Sequence, residues 1–446
     1  MSTTKKLQND CFALPAGVDW TPLDDALMHL ETSLSPIIET EALPINLAVG
    51  RILAGDLKAG SDSPPFSNSA VDGYAFRFAD ARGKYLDLKQ GRSAAGHPLS
   101  QAVDKGQAVR IFTGAVLPMG TDTVVLQEDV QLEGNKIYFE NSLKLGANTR
   151  AVGEDIKKGQ VIALKRDLMT AFMAASSISS GIRRAKVYRK LRVGVFSTGD
   201  ELIDFEKPLK FGSVFDVNSP MLASLLKAWG YEVYELGKIP DNLEVLRDKL
   251  NKASENFDVL ITSGGASAGD EDHLASILSS EGQVTEWRIA IKPGRPMAMG
   301  FWHDTPIFGL PGNPVAAATC ALIFVRPALS KFSGGNWIVP QAYYIAAAFE
   351  KTKKAGRREF LRARVSNNKV EIFKSEGSGL TSGLAWATGF VELPDEEIKI
   401  NIGDKEFSGK YGFNNIHTKN AIYHKYVALL VCSIVLFQQQ LPILYY

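Results

Sequence analysis

The sequence predicts a multidomain chain of α/β and β parts. At its centre is a doubly wound α/β domain with a mostly parallel sheet, joined by a β-rich inserted domain, a small linking α/β domain and a C-terminal β-barrel-like domain. Three observations predict this. The chain has 446 residues, too many for one ordinary domain. Between about Ala185 and Ser333, short apolar runs alternate with helical patterns, which implies a parallel sheet covered on both faces. On either side of that stretch the texture changes to short strand-like runs divided by turns.

The first element is a helix from Pro22 to about Leu34. Thr21 can cap it, Pro22 suits the first helical position, and Leu23, Ala26, Leu27, Leu30 and Leu34 line one face. Residues 50–141 read as the insert, with strands at Gln107–Phe112, Thr123–Leu126 and Lys136–Phe139. Helical character returns between Leu168 and Ser180. Residues 1–49 and 142–184 are therefore assigned together to a discontinuous linking domain. The central domain, residues 185–335, has strand candidates at Leu191–Phe196, Tyr231–Leu236, Phe257–Ile261 and Thr305–Phe308. Its helix from Pro220 carries Met221, Leu222, Leu225, Leu226 and Trp229 on one face and stops at Gly230. The next helix has a capping box, Asp241 with Glu244. The last starts at Pro314 with Asn313 as its cap and runs through Val315–Val325. Residues 336–407 return to strands at Ala342–Ala348, Phe360–Val365 and Val370–Phe373. The tail, residues 408–446, holds an apolar run, Val427–Phe437, about half the length of a membrane span. It reads as an unpacked or non-native extension, and a chain ending near Phe407 is expected to be at least as soluble and active.

Lys plus Arg number 50 against 49 Asp plus Glu, so no global field favours nucleic acid or a membrane surface. Cys11, Cys320 and Cys432 lie far apart without metal-ligand spacing, which argues against a zinc site or a disulfide framework. The polar N-terminus lacks a signal-peptide core. A reducing, cytoplasmic setting is expected.

Three glycine- and proline-rich loops in the central domain carry the chemistry. The first, Leu260–Asp270, includes Ser263, Gly264, Gly265, Ser267 and Gly269. The second, Ile291–Pro296, includes Lys292, Arg295 and Pro296. The third, Phe308–Pro314, includes Pro311, Gly312, Asn313 and Pro314. Loops at the carboxyl ends of parallel strands converge on one crevice. Glycines admit backbone N–H groups to an anion, Lys292 and Arg295 add charge, and Asn313-Pro314 suggests an exposed helix N-terminus. A phosphorylated small molecule is the ligand this composition suits. A second basic cluster, Lys351–Arg364, reads equally well as a charged edge strand or as a cationic wall to the crevice. Acids at Asp72, Glu154, Asp155, Asp216, Asp270 and Asp272 suit a hard cation, Mg²⁺, held by one or two carboxylates plus phosphate oxygens. Asp216 and Asp272, the metal candidates, also suit helix N-termini with no metal at all, and Asp72-Gly73 also suits a plain turn.

These residues carry a resemblance. Pro65-Phe66-Ser67-Asn68-Ser69-Ala70-Val71-Asp72-Gly73-Tyr74-Ala75, Arg110–Ala115, Gly153-Glu154-Asp155-Ile156, Phe196–Leu202, the three loops, Gly356-Arg357-Arg358-Glu359-Phe360 and Gly377-Ser378-Gly379 stand in order from about residue 15 to 405. Together they resemble the molybdopterin molybdenumtransferase family, the molybdenum-insertion enzymes of molybdenum cofactor biosynthesis, related to the E domain of gephyrin. The resemblance implies a four-part elongated subunit in a homodimer with an active cleft across the dimer. It implies adenylylated molybdopterin and molybdate as substrates, AMP as product, Mg²⁺ as cofactor, and a molybdopterin adenylyltransferase as upstream partner. By motif, Asp72, Thr113, Glu154, Asp216 and Asp272 match positions tied to activity. Lys292, Arg295 and Pro296, with Arg357 or Arg362 and Ser382, would hold molybdate, and Pro311 and Pro314 shape the last loop. Ala316 stands where the family often has serine. Two other readings are a gephyrin-like scaffold that binds partner peptides and a molybdopterin adenylyltransferase. The absence of GxGxxG after the first central strand argues against a dinucleotide-dependent oxidoreductase.

Overall fold

The computed structural model describes residues 20–81, 85–140, 143–265, 273–284, 289–294, 297–404 and 428–431. It divides into two compact units, one of residues 40–188 and a larger one formed by the chain on either side.

The larger unit is built on a six-stranded sheet: β1 (Arg192–Thr198), β2 (Glu232–Ile239), β3 (Val259–Ser263), β4 (Gln283–Val284), β5 (Ala298–Trp302) and β6 (Thr305–Leu310). Their order is β2-β1-β3-β6-β5-β4. The first four are parallel neighbours, while β5 pairs antiparallel with both β6 and β4. β3 and β6 are buried along their whole length, as strands covered on both faces must be. Phe196, Leu246, Leu250, Leu260, Ile277, Trp302 and Ile307 form one core cluster on this sheet, and each such side chain contributes about 1.5–3 kcal/mol when fully buried. A continuous helical stretch follows β6: an α-helix Pro314–Cys320, a π turn Ala321–Val325 and an α-helix Arg326–Phe332. It is apolar and long enough to cross a membrane by composition, yet 89% of it is buried within the protein, as befits a core helix. Cys320 on it is a buried free thiol whose ionisation burial pushes up to about 12. Cys11 and Cys432 lie outside the described residues.

The C-terminal β part of this unit has a sheet ordered 341–344, 428–431, 389–393, 358–366, 369–372, 346–347. Its core holds Ala347, Phe349, Leu361, Val370, Val391 and Ile398. A piece of the tail expected to be unpacked, Ala428–Val431, is a strand paired with Gln341–Tyr344 on one side and Gly389–Leu393 on the other. Removing it would open the sheet between those strands, so the expectation that a shortened chain loses nothing does not follow.

In the smaller unit, six strands lie in the order 123–126, 73–76, 107–111, 86–93, 136–138, 131–133, with apolar clusters around Val109 and Ile111 and around Phe76 and Ile137. A separate cluster joins Ile45, Leu53, Leu57, Met169, Ala174 and Val187. This unit holds the insert expected at 50–141 together with residues 40–49 and 142–184 of the expected linking domain. The helix Leu23–Ser33 and the chain to Glu39 group with the larger unit. There Ile37 N–H donates to the Phe332 carbonyl at 3.1 Å.

Three caps also differ. Pro22, not Thr21, holds the N-cap position of the first helix. Asn242, not Asp241, caps the helix Leu243–Ser254, its side chain accepting from the Glu244 and Val245 N–H groups. Asn313 stands at the N-cap position before Pro314, but its side chain makes no capping bond.

Candidate active site

The parallel strands β1, β3 and β6 end side by side, with Ser197 in register with Ser263 and Ser263 with Leu310. Gly264 and Gly265 follow β3 with positive φ. A Cβ on Gly264 would fall 2.5 Å from the Thr198 carbonyl oxygen, so only glycine lets the ends of β1 and β3 approach this closely. The helix Asn218–Ala228 begins at the same place. Asn218 Nδ2 donates to Ser263 Oγ at 2.7 Å and to the Gly312 carbonyl at 2.6 Å. Ser263 Oγ lies 3.2 Å from the Pro311 carbonyl, and Ser197 and Ser219 share a 2.6 Å hydroxyl contact. Asp216 Oδ1 accepts from the N–H groups of Asn218 and Ser219, both at 3.1 Å, so Asp216 does cap this helix. Three buried polar atoms among the described residues here have no hydrogen-bond partner: Thr198 Oγ1, Thr262 Oγ1 and Asn218 Oδ1. Buried polar groups are nearly always paired, so these three stand out near the carboxyl end of the sheet.

Lys292 enters from the next loop. The short strand Ile291–Lys292 pairs in parallel with Arg358-Glu359 of the C-terminal sheet. Lys292 Nζ is 2.8 Å from Glu376 Oε2 and 3.4 Å from Glu359 Oε1. The third loop is tied to the same β part, since Val315 N–H donates to the Ser378 carbonyl at 3.1 Å. The helix N-terminus expected to stay open to a phosphate thus gives one of its donors to protein.

Much of the basic cluster 351–364 is neutralised by acids. Arg358 holds Asp24 by two 2.8 Å bonds and also reaches Glu392 and Asp395. Arg364 pairs with Glu371. Lys353 is buried against the carbonyls of Lys354, Asp395 and Glu396, and burial lowers its ionisation. Arg362 is buried over Phe373 and gives its terminal nitrogens to the carbonyls of Ser375, Gly377 and Leu380. It therefore shapes the loop 375–380. Arg357 stands one residue before the strand Arg358–Ser366, and Ser382 is exposed in the first turn of the helix Thr381–Trp386.

In the smaller unit, Asp72 and Thr113 come together. Asp72 Oδ1 accepts from the Thr113 N–H and hydroxyl, both at 2.7 Å. These two bonds, with the Arg110 charge nearby, hold the Asp72 carboxyl below the usual carboxylate range despite some desolvation. Glu154 instead accepts the Ala151 N–H at 2.8 Å in its own turn. Ser267, Gly269, Asp270, Asp272, Arg295 and Pro296 lie outside the described residues. The sequence reading missed Thr198 and Asn218 as site residues. Their signal was present in Ser197-Thr198-Gly199 and in Asn218-Ser219-Pro220, polar residues at the junctions of predicted strands and helices.

Comparison with known proteins gives the family. Residues 21–181 match the MoeA N-terminal region (domain I and II), residues 194–331 a probable molybdopterin binding domain, and residues 345–405 the MoeA C-terminal region (domain IV). A Haemophilus influenzae molybdopterin molybdenumtransferase is 37% identical over 389 residues, spanning 86% of this chain and 96% of the relative. The chain belongs to the molybdopterin molybdenumtransferase family. A Staphylococcus epidermidis member is 31% identical over 80% of this chain and 88% of its own length. The solved MoeA protein of Pyrococcus horikoshii OT3 superposes with a TM-score of 0.75 at 28% identity, covering 92% of this chain and all of that one. The multidomain α/β-plus-β architecture is thus the family's.

Proposed function

We propose that this chain inserts molybdate into adenylylated molybdopterin, releasing AMP and forming the molybdenum cofactor. The observation that carries this reading is the set of buried, unpartnered polar atoms of Thr198, Thr262 and Asn218 at the joined ends of β1 and β3, in a chain of this family. Thr198, with the Gly264 turn, would bind and orient the pterin phosphate, Asn218 Oδ1 would accept from an N–H of the pterin, and Lys292 would meet the oxyanion. Donors fixed before the reaction stabilise charge as it develops, without reorganisation.

Mg²⁺ belongs to this reading. It needs only one or two carboxylates beside phosphate oxygens. Asp216, oriented by two helix N–H groups, fits that demand, with Asp272 as the second candidate. Among the described residues no cluster of three metal-ligating side chains stands ready, and the small donor set needed here does not require one. When bound, the ion would offset charge on the phosphoanhydride as it breaks. The reading also takes the enzyme to be a cytoplasmic homodimer with an active cleft across subunits. A molybdopterin adenylyltransferase would supply its substrate, and Asp72, Thr113 and Glu154 would serve in the cleft.

The test is an incubation of the purified full chain with adenylylated molybdopterin, Mg²⁺ and molybdate. AMP release and a cofactor that activates a molybdenum apoenzyme are expected. Asn218→Ala should weaken molybdopterin binding about tenfold, the loss of one or two buried hydrogen bonds, with its far-UV circular dichroism unchanged. A gephyrin-like scaffold is the second reading, because a Dictyostelium discoideum gephyrin is 33% identical over 70% of this chain. A folded protein that releases no AMP would favour the scaffold, and ATP consumption without molybdate would favour an adenylyltransferase.

A further inference from the structure

Lys292 and Lys351 approach each other through a pair of carboxylates. Glu376 presents one oxygen to each: Oε2 lies 2.8 Å from Lys292 Nζ, and Oε1 touches Lys351 Nζ. Glu359 completes the ring, 3.4 Å from Lys292 and 3.6 Å from Lys351. Within this ring two ammonium groups and two carboxylates cancel, so the charge Lys292 would offer an oxyanion is already matched. The two acids are not equivalent. Glu359 sits on the strand Arg358–Ser366 with its side chain 14% exposed, whereas Glu376 stands on a loop with its side chain 43% exposed. Arg362 grips the carbonyls of Ser375 and Gly377 on either side of Glu376. The loop backbone is thereby pinned, and the Glu376 side chain can leave by changing rotamer alone.

We propose that Glu376 is a resident counter-anion, which occupies the seat between Lys292 and Lys351 and yields it to the incoming tetrahedral oxyanion. This rests on the reading of Lys292 as an oxyanion contact. A carboxylate that bridges two ammonium groups with two oxygens makes the contact that one edge of a tetrahedral dianion would make. Burial pushes the Glu376 carboxyl up, but the hydrogen bonds from Lys292 and Lys351 more than reverse this, so it remains an ionised competitor at neutral pH. In its absence the seat would carry net positive charge. Glu376 therefore sets the threshold concentration at which the oxyanion enters, and it keeps the lysines paired when none is present.

The experiment is calorimetric titration of sodium molybdate into the full chain without pterin, for the wild type, Glu376→Gln, Lys292→Met and the double variant. Glu376→Gln should bind molybdate about tenfold more tightly, since it removes one like charge within contact distance. The gain should vanish in the double variant. In turnover, KM for molybdate should fall while kcat changes little, a split that a purely structural role would not give. Equal or weaker molybdate binding by Glu376→Gln overturns the proposal, as does a lack of binding by both it and the wild type. Glu376→Ser, with a melting curve, provides the same comparison if the glutamine variant misfolds. Should Lys292→Met bind as the wild type does, the oxyanion reading of Lys292 itself falls, and that outcome is distinct from failure of the Glu376 exchange.

Discussion

Asp258 precedes β3 and accepts four hydrogen bonds at the start of the central sheet. Two come from Arg189 at 2.6 and 2.7 Å, one from the Arg192 N–H at 2.8 Å and one from its guanidinium at 3.1 Å. Its side chain is 8% exposed, so removing the charge would strand two partly covered guanidinium groups. Asp258→Asn should cost about 2–4 kcal/mol at neutral pH, less than a fully buried pair because both arginines retain water contact. Burial raises this carboxyl's pKa, but the bonds from Arg189 and Arg192 outweigh it, so the folded value lies below the ordinary one. The group's stabilisation is therefore complete above the unfolded carboxylate range near pH 4. It is lost as pH falls through the lower, folded value. Urea unfolding from about pH 6 down to about pH 3 should show the wild type and Asp258→Asn converging in stability. A gap that stays constant would mean that the charge is not what matters. Residues of this kind are the least legible from sequence. Asp258 and Arg189 are 69 positions apart, and Lys292 and Glu376 are 84 apart. Composition marked Lys292 as a ligand group, but nothing local indicated the acid that folding places against it.

At the scale of elements, Gly73 shows why a motif glycine need not be a turn. It begins the strand Gly73–Phe76, which lies between Gln107–Ile111 and Thr123–Leu126. A Cβ there would sit 1.9 Å from the Val125 carbonyl oxygen, an overlap with backbone that no rotamer relieves. Gly73→Ala should destabilise the protein by about 1–3 kcal/mol, the usual cost of overpacking, and should displace the adjacent Asp72 from Thr113. Differential scanning calorimetry would measure the first effect. A melting temperature equal to wild type would show that the strand yields more easily than its ladder implies. Periodicity located most of these elements, because apolar faces repeat with the pitch of the helix or strand. It failed at the ends that matter most. Apolar runs put the limits of β1, β3 and β6 at Phe196, Ile261 and Phe308, whereas the strands continue to Thr198, Ser263 and Leu310. The extra residues Ser197, Thr198, Thr262 and Ser263 are buried and polar, so hydropathy reads them as loop. These ends of the sheet are thus hidden from a hydropathy reading by their own polarity. The caps failed for a related reason. Thr21 beside Pro22, and Asp241 beside Asn242, offer adjacent positions for a helix start, and only backbone geometry chooses between them.

At the scale of the whole chain, the sequence texture changes from helical to β and back, which set the expected insert at 50–141. That change does not locate the edges of the unit 40–188, because the helix Leu23–Ser33 has the same texture wherever it packs. The structure fixes the boundary by pairing. Thr40–Pro44 runs antiparallel to Arg184–Tyr188, with Thr40 opposite Tyr188 and Pro44 opposite Arg184. The chain therefore enters and leaves the unit 40–188 at neighbouring points, the arrangement that lets one domain sit inside another. The apolar clusters around Ile45 and Leu53, Val109 and Ile111, and Phe76 and Ile137 consist wholly of residues from this unit. Residues 40–188 expressed alone should fold cooperatively, with a single urea transition and dispersed amide resonances. Replacing Val187 by aspartate should abolish that transition, because Val187 is fully buried in the closing strand pair and an unpaired buried charge costs several kcal/mol. A broad, non-cooperative profile for the excised unit would show instead that it needs the flanking chain to fold.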